Sequence, residues 1–138
     1  MPCELCDAPG GELLWQDELC RAVLVHDPDY PGFCRVILKR HTKEMAELSR
    51  AEQQQVMRVV FAVEQALTKL MRPEKINLAS LGNVVPHIHW HVIPRFSDDA
   101  HFPQPIWAAA VRTGAARVAP DLGVLRITLD ELLQTPYD

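Results

Sequence analysis

A chain of 138 residues, 48% hydrophobic and 23% charged, has the size and balance of one globular domain with a core of its own. Its net charge of −4 gives no basic face for nucleic acid. No apolar run approaches the roughly 20 residues that span a bilayer. The opening Met1-Pro2-Cys3-Glu4 is acidic where a secretory leader is basic, so the expected compartment is the cytoplasm. There the four cysteines stay reduced. A small phosphorylated ligand remains compatible with the charge, because backbone N–H groups and a few polar side chains suffice to hold one.

In chain order, residues 11–16 and 19–26 read as two short strands joined at Asp17-Glu18. The stretch Asp27-Pro28-Asp29-Tyr30-Pro31-Gly32 is dense in turn residues and ends the second. Residues 33–39 form a third, mostly apolar strand suited to the middle of a sheet. Ser49-Arg50-Ala51-Glu52 has the capping-box form. Val56, Val59, Val60, Val63, Leu67 and Leu70 then recur at helical spacing until Pro73, which predicts one long helix across the sheet. Residues 75–81 are a fourth strand, 82–86 a loop and 87–94 a fifth strand. The proline-rich, aromatic residues 98–107 suggest an ordered loop, and residues 128–133 a short closing helix capped by Thr128. Cys20 and Cys34 fall in apolar stretches and are expected to be buried.

The fifth strand carries His87, His89 and His91 at alternate positions. Alternation puts all three imidazoles on one face and turns Ile88, Trp90 and Val92 to the core. Burying three imidazoles for structure alone leaves nitrogens without partners, at about 1–3 kcal/mol each. His26 and His101, taken singly, need no such explanation. Two chemistries fit the triplet: three ligands of a catalytic zinc, or a nucleophilic imidazole that attacks phosphorus. The spacing alone does not choose between them. Cys3 and Cys6 form a Cys-x-x-Cys pair without the βαβ context of a redox motif; as zinc ligands they need two further partners.

The run His-x-His-x-His followed by Val92-Ile93 resembles the signature of the histidine triad (HIT) superfamily of nucleotide hydrolases and nucleotidyl transferases. The likeness extends from Cys3 to about Arg95. It takes in His26-Asp27 before a Pro/Gly turn, the strand ending Lys39-Arg40-His41, Asn77, and Gly82-Asn83-Val84-Val85-Pro86 before the triad. It implies an α+β fold: an antiparallel sheet of about five strands with one long and one short helix, forming a homodimer. By this resemblance His89 is the nucleophile on an α-phosphate and His91 holds or protonates the phosphate. Asp27 takes the ribose hydroxyls, and Asn77 and Asn83 orient phosphate. The chemistry needs no metal, although the resemblance also implies a structural zinc on Cys3, Cys6, His41 and His87. Members often carry Ser or Thr where this chain has Val84, so hydroxyl assistance to the leaving group is not expected here. Three readings follow: a hydrolase or transferase of small nucleotides, a nucleotide- or partner-binding module with little turnover, and a three-histidine zinc enzyme.

Overall fold

The computed structural model describes residues 2–134. Five strands form one antiparallel sheet in the order β1-β2-β3-β5-β4: β1 Glu12–Gln16, β2 Cys20–Leu24, β3 Cys34–Leu38, β4 Lys75–Ala79 and β5 His89–Arg95. Three helices accompany it: α1 Glu4–Asp7, α2 Arg50–Met71 and α3 Leu122–Gln134. No described helix is long and apolar enough to cross a membrane.

Local chemistry explains most boundaries. Asp17 closes the β1–β2 turn, its Oδ1 accepting the N–H groups of Leu19 and Cys20 at 2.8 Å. In the β2–β3 turn Asp27 Oδ1 accepts the N–H of Asp29 at 2.9 Å. Gly32 leaves that turn at φ +89, and any Cβ there would collide with Met71 Sδ at the end of α2. Ser49 caps α2 as expected: its Oγ accepts the Glu52 N–H at 3.1 Å, and Glu52 Oε1 accepts the Ser49 N–H at 2.9 Å. Arg72 ends the helix in the left-handed region, just before Pro73.

Strand alternation divides the sheet into two faces. One turns Ala22, Val36 and Val92 toward Val56, Val59, Val63 and Leu67 of α2, forming the main core. Cys20 and Cys34 belong to this core, and burial pushes both thiols up to about 12. The opposite face carries Val23, Arg35, Ile37, His89 and His91. Leu5 of α1 packs on Val23 and Ile37 there, while Tyr30, Phe33 and Ile93 form a separate apolar cluster.

The helices depart from expectation. α1 was not foreseen, and α3 is longer than the predicted 128–133. Asp121 caps α3 by accepting the Val124 N–H at 3.1 Å, whereas Thr128 lies inside the helix and donates to the Val124 carbonyl at 2.7 Å. Gly123 and β-branched residues weaken the local helical signal there, but Leu125 and Leu129 are fully buried and hold the helix by packing. Arg126 of α3 donates twice to the Leu13 carbonyl, where the β1 register shifts.

Residues after β5 are organised by a buried ion pair. Arg95 is 2% exposed; its guanidinium meets Asp99 at 2.8 and 3.0 Å, Asn77 Oδ1 at 2.8 Å and the Gln104 carbonyl at 2.7 Å. Asp99 also accepts the N–H groups of Phe96, His101 and Phe102. Burial alone would raise its pKa; the Arg95 guanidinium and these N–H groups outweigh that and hold the carboxyl well below the usual range. Asp99→Ala leaves Arg95 buried without its counter-ion and should cost about 3–5 kcal/mol at neutral pH. Because the folded pKa lies below the unfolded value of about 3.9, this stabilisation is complete above that pH and is lost as pH falls further. Urea titrations across pH check it: the gap between wild type and variant should shrink below about pH 4, and a pH-independent gap would contradict the assignment.

Candidate active site

The first correction to the sequence reading concerns His87. β5 begins at His89, and His87 still lies in the preceding turn, where its N–H bonds the Val85 carbonyl at 2.8 Å. Its imidazole is buried, with Nε2 donating to the Leu38 carbonyl at 2.6 Å. That bond places the ring proton on Nε2 and leaves Nδ1 with a free lone pair. The three triad rings therefore do not share one site, and the three-histidine zinc centre is not the arrangement seen.

Nδ1 of His87 instead faces the cysteine pair. It lies 3.5 Å from both Cys3 Sγ and Cys6 Sγ and 3.2 Å from His41 Nδ1, with Cys6 Sγ 3.4 Å from His41 Nδ1. Among the described residues, these four are the group whose ligand atoms converge, all within 4.8 Å of one another. Tetrahedral zinc with normal bond lengths separates sulfur from nitrogen by roughly 3.5 Å and two nitrogens by roughly 3.3 Å. The four separations just given match those values closely. The Leu38 carbonyl supplies the outer hydrogen bond expected behind a ligating histidine.

His89 and His91 form the second part of the site. His89 Nδ1 donates to the His87 carbonyl at 2.6 Å. The proton is thereby fixed on Nδ1, and Nε2 carries the lone pair. The His91 ring lies 5.0 Å from that of His89, 5.6 Å from Phe33 and 5.1 Å from Trp107. Burial, helped by the neighbouring His89 and Arg35, lowers the His91 pKa to about 4. It is uncharged at neutral pH, and its Nδ1 is buried without a hydrogen-bond partner. His89, His91, Arg35, Asn83 and Trp107 line a cavity of about 330 Å³.

Other expected site residues are dispersed. Asn83 is exposed on the cavity rim, and Val84 beside it is 92% exposed. Asn77 Oδ1 accepts from Arg95 Nη1, and the residue lines an adjoining cavity of about 670 Å³, which shares Trp107. Asp27 opens onto a third cavity of about 410 Å³ with His26 and Arg117. Phe33 packs edge-on against the His91 ring and walls the histidine site. His101 is stacked on Tyr30 and bonded to its hydroxyl. Trp107 and Arg35 were not foreseen as site residues. The aromatic 98–107 segment, expected as an ordered loop, brings Trp107 over His91 because Arg95 and Asp99 fold it back.

A model of the HIT domain matches residues 10–98. The chain belongs to the HIT family. Among curated relatives, it is 28% identical over 98 residues to the AP-4-A phosphorylase of Mycobacterium tuberculosis, covering 67% of this chain and 50% of that protein. It is 27% identical over 95 residues to the asymmetrical bis(5'-nucleosyl)-tetraphosphatase of Schizosaccharomyces pombe, covering 65% and 52%. The HIT chain thus spans about half the length of these relatives. A histidine triad protein from Sinorhizobium meliloti has the same fold, with a TM-score of 0.69, 27% identity, and 97% and 95% of the two chains covered.

If burial under Trp107 is what keeps His91 uncharged, Trp107→Ala should raise its pKa from about 4 toward the ordinary imidazole value. NMR titration of the histidine ring protons reads this directly. An unmoved His91 resonance profile would show that the tryptophan does not control the charge.

Proposed function

We propose that this HIT protein is a nucleotide hydrolase or nucleotidyl transferase that works through a covalent phosphohistidine at His89. The observation that carries the reading is the 2.6 Å bond from His89 Nδ1 to the His87 carbonyl. It leaves Nε2 as a bare nucleophile and gives the ring an acceptor for the charge that develops as nitrogen bonds phosphorus. Attack by Nε2 on the α-phosphorus forms the N–P bond as the bond to the leaving group breaks. Water or another acceptor then breaks the N–P bond, releasing the nucleoside monophosphoryl group and restoring the imidazole.

The leaving group narrows the substrate class. His91 is uncharged, and position 84 offers no hydroxyl, so the site shows no ready proton for an amine. A polyphosphate leaves as an anion and needs none. These features favour dinucleoside polyphosphates over nucleoside phosphoramidates. The curated relatives named above act on dinucleoside tetraphosphates, which agrees with this reading. The exposed Val84 also supports a second reading, a nucleotide-binding module with little turnover.

Cys3, Cys6, His41 and His87 would hold zinc as a closed structural site that takes no part in the bond-making step. Bound there, the ion would lock the His87 ring and, through its backbone, the carbonyl that orients His89.

Hydrolysis of diadenosine tetraphosphate by wild type and His89→Ala tests the mechanism. The variant should lose at least about a thousandfold in rate. Equal rates would remove the nucleophile, and tight binding without turnover in wild type would favour the binding module. Elemental analysis tests the metal centre. About one zinc per chain is expected, lost when Cys3 and Cys6 become serine and retained in His89→Ala; the opposite pattern would place the metal on the triad.

A further inference from the structure

Arg35 sits on β3 directly opposite His91, on the face that carries both catalytic-site histidines. It lines the same cavity as His89. Its Nε is buried and has no hydrogen-bond partner. The hydrogen bond it does make, Nη1 to the Gly10 carbonyl, is long at 3.4 Å. Among the described residues no carboxylate lies within ion-pair distance of it; Glu4 acts only from farther away. Its guanidinium rests over the Phe33 ring at 5.6 Å, the ring that also packs on His91.

Two other arginines on this face show what a structural role looks like. Arg21 donates to three carbonyls of the N-terminal segment, those of Leu5, Ala8 and Pro9, at 2.8 to 3.0 Å. Arg95 is saturated by Asp99, Asn77 and Gln104. Arg35 is half-buried, and its buried Nε–H has exchanged water for no partner, which is unfavourable unless a ligand supplies one. Burial draws the Arg35 pKa below its ordinary value, yet an arginine stays charged at neutral pH. The cavity thus holds a fixed positive charge with an unpaired N–H donor beside His91, which carries none.

We propose that Arg35 binds the phosphoryl group of the nucleotide, gripping its non-bridging oxygens in the cavity shared with His89. The planar N–H fork matches two phosphate oxygens at once. Charge on a transferring phosphoryl group needs a preorganised cation, and Arg35 supplies it from a rigid central strand. The assignment rests on the phosphoryl-transfer reading of the site, and the two can fail separately.

Calorimetric binding of AMP and of adenosine, with thermal midpoints as a folding control, tests it in wild type, Arg35→Gln and Arg35→Lys. Arg35→Gln should weaken AMP by about 10- to 100-fold and leave adenosine within about twofold. Arg35→Lys, which keeps the charge but not the fork, should fall between. It also carries the comparison if the glutamine variant does not fold. Loss of both ligands in parallel would make Arg35 a structural strut to Gly10 and overturn the proposal. So would an unchanged preference for AMP in Arg35→Gln. If wild type turns nucleotide over, His89→Ala abolishes turnover and Arg35→Gln keeps the AMP preference, the arginine assignment alone fails. If wild type neither turns over nor prefers AMP to adenosine, the phosphoryl-transfer reading fails and this assignment with it.

Discussion

One hydrogen bond joins the two halves of this site: His89 Nδ1 to the carbonyl of His87. On its far side, the His87 ring is clamped between the Leu38 carbonyl and the two thiols. On its near side, it decides which nitrogen of His89 faces the cavity. A histidine free to change tautomer would spend part of its time with the wrong nitrogen presented. Here one peptide group removes that choice, and its own position depends on a residue that has left the strand. The metal-type cluster and the cavity at His89 are thus neighbours linked by two residues of backbone.

His91 and Arg35 divide the electrostatics in a way the triplet alone does not suggest. Three histidines on one face invite the expectation that one carries a proton for the others. Phe33 and Trp107 instead surround His91 closely enough to keep it uncharged, and the positive charge comes from the strand opposite. Trp107 reaches His91 only because the Arg95–Asp99 pair turns the chain back after β5. A buried ion pair outside the cavity therefore shapes the polarity inside it.

Much of this was legible in the sequence, where the signal was local. Ser49 and Glu52 announced the start of α2, valines at helical spacing announced its buried face, and turn residues separated the strands. The metal-type quartet followed from family resemblance and is found together. What failed was non-local. Strand periodicity placed His87 beside His89, but the turn at Val85 and the pull of the Leu38 carbonyl take it out of the strand. α3 extends over Gly123 because Leu125 and Leu129 find a core, which propensity does not report. Arg35 had a faint signal, a charge inside an otherwise apolar central strand; its meaning appeared only once β5 was paired against it. Asp27 and Asn77 line cavities other than that of His89.

Arg21 has a consequence for the cysteine pair. By gathering the carbonyls of Leu5, Ala8 and Pro9, it straps α1 to the sheet without help from the thiols. Leu5 adds an apolar anchor against Val23 and Ile37. These contacts hold the segment that bears Cys3 and Cys6 against the sheet. In small zinc modules, most of the binding free energy is consumed in ordering a chain that is unfolded without the ion. A cysteine segment held by its own polar and apolar contacts lowers that cost. The site's affinity for a metal would be set more by donor chemistry, with less of it diverted into folding.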